Sequence, residues 1–362
     1  MSSTIFHWIP SSQLGGIEIA ALTLIQESPQ HAHVVAAGDI SGPAVDLWRG
    51  AGAEVIEIPA WTGLLGIAWF RHWRRLVRER DVRHLISWSP TRLAMVTSPL
   101  REDARCLVHL GNVGGFSRRA RMQEGLARAL LRPSCKPQLV ACSRSVMDSV
   151  SEEPAFSGCP RLMVYNPVRR SFFDVGASRR SFTPAIRNWG MIARLDRLKD
   201  HRTLIEAVGM LPPSLDFCLE IVGEGELDRE LKALVNSGGL EDKIRFTGST
   251  SAPQAALARW DGFVFATTVA EGFGIAVAEA MATGLPCVLS DVRAMREIAG
   301  AEAYYAASGD SSQFAERLVQ VTRDPAAARA TGQAASLRAA ARYAPQAFAR
   351  SYLAALGLAL AP

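Results

Sequence analysis

The sequence predicts an α/β protein made of two tandem Rossmann-like domains, each a parallel sheet covered by helices. Three observations predict it. Continuous apolar runs of strand length alternate with helical patterns almost throughout, as in parallel sheets buried on both faces. A polar, basic, aperiodic stretch, RRSFFDVGASRRSFTP (Arg169–Pro184), separates two halves of similar size and reads as an interdomain linker. The length, 362 residues, exceeds one ordinary core and suits two.

In chain order, the first half offers strands at TIFHWI, HAHVVAA, AEVIEI, HLISWS, CLVHL, QLVACS and RLMVY. Helical patterns lie between them, among them GIEIAALTLIQ, PAVDLWRGAG, LLGIAWFRHWRRLVRER, RARMQEGLARALL and SRSVMDSVS. The second half offers strands at IRNWGMIA, FCLEIVG, KIRFTG, GFVFATT and PCVLS, with helices that include HRTLIEAVGML, LDRELKALVNSG, PQAALARW, GIAVAEAMATG and SQFAERLVQVTRD. Two more helical segments follow, beginning at Pro325 and Pro345; their apolar spacing favours real helices over low complexity. The expected division is 1–175, 180–343, and a final helix at 344–362 returning to the first domain. In a doubly wound sheet, ligands bind beyond the carboxyl ends of the strands. Two such sheets are expected to face each other across a cleft where motifs at strand ends converge.

Composition excludes several classes. Hydrophobic residues make up 48% and charged residues 21%, a soluble globular balance. The net charge of +5 permits an anionic partner without establishing one. None of the six cysteines forms a C-x-x-C pair, and Cys106, Cys218 and Cys287 fall in strand-like runs. A reduced, cytoplasmic chain without a zinc site is the expectation. MSSTIFHWIPSS has neither the basic start nor the long apolar stretch of a signal peptide, and no apolar run is long enough to span a bilayer.

EGFGIAVAEAMATGLPCVLS (Glu271–Ser290) is the densest stretch, because it carries two carboxylates inside what looks like core. A strand ending near Thr268 leads into a Gly-Phe-Gly turn and a helix that stops at Gly284. Gly272 and Gly274 let a backbone approach a ligand closely. The first helical N–H groups lack intrahelical partners and attract anions such as phosphate. Glu279, among Ala276–Met281, would need hydrogen-bond donors if buried, and a ribose diol offers two. The plain alternative is that Glu271 caps the helix and Glu279 faces solvent.

E-G-F-G-x-x-x-x-E-A-M-A-x-G-x-P-x-V resembles the two-glutamate motif of the family 4 retaining glycosyltransferases of the GT-B fold. The resemblance covers most of the second half and, more loosely, the first. It implies that Glu271 contacts the donor sugar, that Glu279 binds the nucleotide ribose, and that the amides of Phe273, Gly274 and Ile275 serve the sugar and diphosphate. MIARLDRLKD (Met191–Asp200) is similar to the family's G-R-L-x-x-x-K-G element, which implies that Arg194 and Lys199 hold the pyrophosphate. Ala193 and Asp200 depart from that pattern, and Arg197 is close enough to substitute. Independently of any family, cations at a strand end can neutralise a departing diphosphate without a metal, whereas a cation at a helix start opposes the dipole unless a ligand uses it.

Other resemblances are weaker. IVGEGE places Gly223 and Gly225, and FTGS places Gly248, in loops like those that contact the nucleotide base. Gly15-Gly16 before a helix resembles the family's glycine turn near the donor phosphates, although such a turn is often plain structure. His109, in LVHLGN, matches a position where members carry a histidine near the donor sugar; a satisfied core histidine is the alternative. No Asp-x-Asp metal motif is present.

Two segments of the first half combine aromatic or apolar residues with arginines, namely Trp61–Arg80 and Phe116–Lys136. Reversible contact with an anionic membrane is one reading. A core-facing helix with a solvated basic face is the other. No nucleic-acid-binding motif accompanies the charge.

The resemblance implies a retaining, metal-independent transferase without a cofactor. Its donor would be a nucleotide sugar, with UDP favoured over GDP or ADP. Its acceptor would be a glycan, a lipid-linked or a small molecule. The alternatives are another GT-B enzyme, such as a nucleotide-sugar epimerase or a phosphorylase, or a non-catalytic nucleotide-sugar-binding protein.

Overall fold

The structure, a computed structural model, describes residues 3–59, 66–112, 117–133, 135–178 and 185–360. The chain divides into two compact units, residues 1–167 with 345–362, and residues 168–344.

The first unit alternates strands and helices: β1 (Thr4–Ile9), α1 (Gly16–Glu27), β2 (Ala32–Ala37), α2 (Ala44–Gly50), β3 (Glu54–Glu57), α3 (Ile67–Glu79) and β4 (His84–Ser87). It continues through α4 (Leu93–Thr97), β5 (Arg105–Leu110), α5 (Arg118–Leu131), β6 (Gln138–Ala141), α6 (Arg144–Ser149) and β7 (Arg161–Met163). The sheet runs β3-β2-β1-β4-β5-β6-β7, and every pairing is parallel. β1 and β2 bury all but their first residue, which explains why their sequences are continuously apolar.

The second unit opens with α7 (Arg170–Ser178), then β8 (Asn188–Ile192), α8 (His201–Gly209), β9 (Cys218–Val222), α9 (Asp228–Ser237) and β10 (Ile244–Phe246). It closes with α10 (Pro253–Arg259), β11 (Gly262–Phe265), α11 (Ile275–Ala282), β12 (Cys287–Ser290), α12 (Arg293–Ala299), β13 (Tyr304–Ala306), α13 (Ser311–Arg323) and α14 (Pro325–Tyr343). Its parallel sheet runs β10-β9-β8-β11-β12-β13. Caps are written in the sequence: Asp324 accepts the N–H of Ala327 at 3.0 Å, and Pro325 opens α14.

The linker expectation is corrected. Residues 170–178 are α7, which belongs to the second unit, so the first unit ends at Pro167 and not at 175. Phe172 is fully buried, and a Cβ at Gly176 would lie 2.4 Å from the Ala282 carbonyl oxygen of α11. One short apolar stripe in nine residues is too little periodicity to stand out among four flanking arginines. Residues 179–184 lie outside the described residues.

The helix α15 (Pro345–Ala355) lies against α1 in the first unit. It adds Phe348, Tyr352 and Leu353 to the core of β1, β2 and α1, each contributing about 1.5–3 kcal/mol on full burial.

A buried polar chain crosses that unit. The Trp88 indole N–H donates to His7 Nδ1 at 3.1 Å, so His7 must carry its proton on Nε2. That proton points at His33 Nδ1, 3.0 Å away, and His33 Nε2 then donates to the Ser28 carbonyl at 3.1 Å. Burial pushes His33 and His109, and His201 of the second unit, down to about 4, and lowers His7 well below its ordinary value. Unfolded imidazoles titrate near pH ~6.5, so below that the unfolded chain binds more protons than the folded one. Stability is therefore full above about pH 6.5 and lost as pH falls toward 4, on the order of 3 kcal/mol for each of His33, His109 and His201. Glu279, pushed up to about 7 by its burial, works in the opposite direction and offsets one of them. Urea unfolding is expected to show a much lower midpoint at pH 4.5 than at pH 7.5, with proton uptake on unfolding between. An unchanged midpoint would mean that these imidazoles are not held neutral.

Candidate active site

In the second unit, β8 has β9 on one side and β11 on the other, so strand order reverses between β8 and β11. Ligands of doubly wound sheets sit at such a point, beyond the carboxyl ends. The two loops that leave those ends carry Arg194 and Lys199 after β8, and Glu271 after β11.

They meet. The Lys199 ammonium donates to Glu271 Oε2, with both side chains largely buried, and it lies 5.0 Å from the centre of the Phe265 ring. The other Glu271 oxygen accepts the N–H of Gly272 at 3.1 Å and of Phe273 at 3.4 Å. The plain alternative made Glu271 the cap of the helix; α11 instead has Gly274 at its N-cap with no side-chain cap, and Glu271 holds the turn amides and a lysine 72 positions earlier.

Residues that sequence reasoning missed hold this pair. Asp196 Oδ1 accepts the N–H groups of Leu198 and Lys199, and its Oδ2 pairs with Arg194 at 2.9 Å, which folds the loop after β8 back on itself. The Thr267 hydroxyl lies 3.0 Å from the Leu198 carbonyl and 3.3 Å from Glu271 Oε2. Its amide donates to Ser290 Oγ at 2.8 Å, and its carbonyl accepts from Ser308 at 2.9 Å. Thr267, in the loop after β11, thus ties together the loops that follow β8 and β13 and the last residue of β12. Only its position at a strand end could have pointed to it. Arg194 is 78% exposed and retains reach; Arg197 is exposed nearby.

Gly274 adopts φ +81° and caps α11; a Cβ there would meet the Met295 methyl at 2.6 Å. Ile275 is the first residue of the helix. Glu279 is 8% exposed, within a helix whose residues from Ala276 to Ala282 are all buried. That removes the solvent-facing alternative. No described residue hydrogen-bonds its carboxylate; desolvation pushes it up to about 7, with Arg169 pulling the other way.

The loops after β8 and β9 are zipped together. Ala193 N–H donates to Val222 O and Leu195 N–H to Glu224 O, both at 3.0 Å. Gly223 N–H donates to Gly248 O at 2.8 Å, and Glu224 accepts from the Ser249 amide and hydroxyl. A Cβ at Gly223 would fall 1.8 Å from Ala193 O, and one at Gly225 2.3 Å from Leu195 O. These glycines exist for backbone contact, which places all three loops at one sheet end.

His109 and Gly16 belong to the first unit. His109 is buried near the end of β5, with Nδ1 2.7 Å from the Tyr352 hydroxyl and Nε2 without a partner. A Cβ on Gly111 would touch both His109 Nε2 and Ile17, so the start of α1, which holds Gly16, lies beside this imidazole. A cavity of about 530 Å³ in this unit lies around the amino ends of β5 and β6, at the opposite end of the strands.

The Trp61–Arg80 segment resolves toward the core-facing reading. Trp61 lies outside the described residues. Trp69 and Trp73 are buried and pack on Trp8, at 5.2 and 6.0 Å between ring centroids. Arg71, Arg74, Arg75, Arg78 and Arg80 face solvent, and Arg75 and Arg80 pair with Glu79 and Glu54. No helix among the described residues is long and apolar enough to cross a membrane. No three His, Cys, Asp or Glu residues among them converge as a metal site.

Comparison with known proteins bears on the second unit most directly. Residues 187–324 match the family described as glycosyl transferases group 1. The second unit carries a glycosyl transferases group 1 domain. Arg194, Lys199, Gly223, Gly225, Glu271, Phe273, Gly274, Ile275 and Glu279 all fall inside this group 1 domain. The chain is 33% identical over 146 residues to the putative glycosyltransferase EpsD of Bacillus subtilis (strain 168), covering 39% of this chain and 38% of that one. It is 36% identical over 110 residues to the N-acetylgalactosamine-N,N'-diacetylbacillosaminyl-diphospho-undecaprenol 4-alpha-N-acetylgalactosaminyltransferase of Campylobacter jejuni subsp. jejuni serotype O:2, covering 30% of this chain and 29% of that one. The matched part spans less than half the length of either relative. The fold extends over the whole chain: HepE of Anabaena, solved with UDP, superposes with a TM-score of 0.79 at 17% identity, covering 99% of this chain and 100% of that one. The fold of the chain is the GT-B fold that its structural neighbours share.

Proposed function

We propose that this protein is a retaining glycosyltransferase that takes a sugar from a nucleotide donor, a UDP-sugar in preference to GDP- or ADP-sugars, without a metal or cofactor. The observation that carries the reading is the Lys199–Glu271 pair beside the start of α11, at the switch point of the group 1 domain. Arg194, Lys199 and the first amides of α11 would hold the diphosphate, and Glu279 would accept from the ribose hydroxyls. The sugar C1–O bond to the β-phosphate breaks, and the electron pair goes to a phosphate whose charge Arg194 and Lys199 offset. The acceptor oxygen bonds to C1 on the same face, and its proton passes to the departing phosphate. Glu271 orients the donor sugar. The Anabaena neighbour solved with UDP supports the choice of base, and the diphospho-undecaprenol in the Campylobacter relative's name supports a lipid-linked glycan acceptor.

The test is a thermal-shift panel of UDP-, GDP- and ADP-sugars, followed by slow hydrolysis of whichever donor stabilises the protein. EDTA should change neither result. Inhibition by EDTA that magnesium or manganese reverses would overturn the metal-independent reading, and stabilisation by no donor would overturn the transferase.

Glu279 gives a second test. Donor hydroxyls favour its ionised form, so nucleotide binding should release a proton, and affinity should fall as pH drops below about 7. Glu279→Gln is expected to remove that part of the pH dependence, which separates it from titration of the phosphates. Glu279→Ala should weaken UDP by about 1.5–3 kcal/mol, the worth of a charge-assisted hydrogen bond. Calorimetry showing equal affinity in Glu279→Ala would sink the ribose assignment.

A further inference from the structure

Two opposite charges approach each other in the second unit without pairing. Arg169 immediately precedes α7, and the Phe172 N–H donates to the Arg169 carbonyl at 3.1 Å to close the first turn. Arg169, Phe172 and Gly176 are spaced three and four positions apart, which sets them along one side of α7. That side packs on α11: Phe172 is fully buried, and a Cβ on Gly176 would lie 2.4 Å from the Ala282 carbonyl oxygen and 3.4 Å from Thr283. Glu279, Ala282 and Thr283 share one side of α11 by the same spacing. α7 therefore covers the side of α11 that carries Glu279, with Arg169 at its leading end.

Neither charged side chain is satisfied there. The Arg169 guanidinium lies 5.1 Å from the centre of the Phe172 ring, within cation–π range, and its Nε–H is buried without an acceptor among the described residues. Glu279 is buried, and no described residue donates to it. The charge of Arg169 reaches Glu279 and pulls its pKa down against the effect of burial, yet no ion pair or hydrogen bond joins the two among the described residues. Buried opposite charges gain from contact, so a pair that serves stability alone closes. Here an aromatic ring holds the guanidinium and a buried helix holds the carboxylate. A group that bridges them has to donate to a carboxylate and accept from an N–H. Phosphate and carboxylate oxygens only accept and an ammonium only donates, whereas a hydroxyl does both.

We propose that Arg169 is a further nucleotide-binding residue, whose Nε–H donates to the oxygen of one ribose hydroxyl while that hydroxyl donates its proton to Glu279. This role rests on the ribose reading of Glu279 above and adds the group that recognises the oxygen. A site that hydrogen-bonds a hydroxyl from both sides rejects the analogue lacking it, because two buried polar groups are then left unpaired.

UDP, 2′-deoxy-UDP and 3′-deoxy-UDP are the probes, titrated by calorimetry into the full chain and its Arg169→Gln variant. Wild type is expected to bind UDP about tenfold or more tighter than at least one deoxy probe, the worth of a hydrogen bond to a charged group. Arg169→Gln should weaken UDP by a similar factor and leave that deoxy probe as it binds to wild type, which also certifies the fold. Arg169→Lys keeps the charge without the planar fork and should recover only part of the UDP affinity. An equal loss for all three probes in Arg169→Gln overturns the assignment, because the residue then serves the fold or the general field. Unchanged UDP affinity in Arg169→Gln also overturns it, as does full recovery in Arg169→Lys. Wild type that binds all three probes alike reads no ribose hydroxyl; the ribose roles of Arg169 and Glu279 then both fall, and the transferase reading stands. Wild type that binds none of them, nor GDP or ADP, removes the transferase reading and this role with it.

Discussion

Lys199→Ala is expected to lower glycosyl transfer about 10²–10³-fold, the usual loss when one preorganised charge donor is removed from a transition state. The same change leaves Glu271 buried without its cation, and breaking a buried pair costs about 3–5 kcal/mol. Lower activity alone would therefore be ambiguous. The double variant Lys199→Ala with Glu271→Gln removes the stranded charge and is expected to recover most of the melting temperature. Turnover should stay at or below the level of Lys199→Ala, because the diphosphate still lacks its counter-charge. If activity returned together with stability, the lysine would be only the structural partner of Glu271, and the assignment of the diphosphate to it would fail.

Gly223→Ala is expected to have the largest effect on stability of any single methyl group added in the second unit. The new Cβ would fall 1.8 Å from the carbonyl oxygen of Ala193, an atom fixed by the zipped backbones, at a φ of +153°. Neither side can yield without opening the loops after β8 and β9. A loss above about 4 kcal/mol belongs to such overpacking. For a unit of this size that is on the order of 10 °C in melting temperature. Gly284→Ala is the control: it also has positive φ, +77°, but nothing within 4 Å of the added atom. It should cost only the left-handed penalty of about 1–2 kcal/mol. Equal melting temperatures for the two variants would show that the loops are not held as described. Nucleotide affinity should follow the same order, since the displaced loop carries Arg194.

The second unit was the more legible half. Its site residues lie in three short runs that begin at strand ends, and the spacing of Glu271 from Glu279, one turn and one helix apart, is local enough to read directly. What the sequence concealed is the set of contacts between distant residues. Nothing in LVHLGN announces that His109 meets a tyrosine 243 positions later, and nothing near Thr267 announces that three loops and a strand end meet at one residue. The short elements α4, α7, α12 and β13 carry between three and nine residues of pattern, below the window that periodicity needs. The arginine-rich helices misled for a different reason. Tryptophan among arginines in α3 has the composition of a membrane helix, yet its two described indoles point inward, whereas the less conspicuous methionine and leucines of α5 stay outside. Composition fixes what a helix could touch; only packing decides which side is already taken.

The passage of the chain through the second unit before α15 sets an order of maturation. Residues 168–344 are contiguous, so that unit can close as soon as it has left the ribosome. The first unit, although most of it is made earlier, waits for Phe348, Tyr352 and Leu353 to fill the space beside α1 and for the Tyr352 hydroxyl to reach His109. Throughout that interval it is an incomplete globule with an open apolar seam, the state in which a nascent chain is most exposed to chaperones and proteases. A substitution in α15 would then act on cellular yield before it acted on catalysis, although α15 lies outside the group 1 domain.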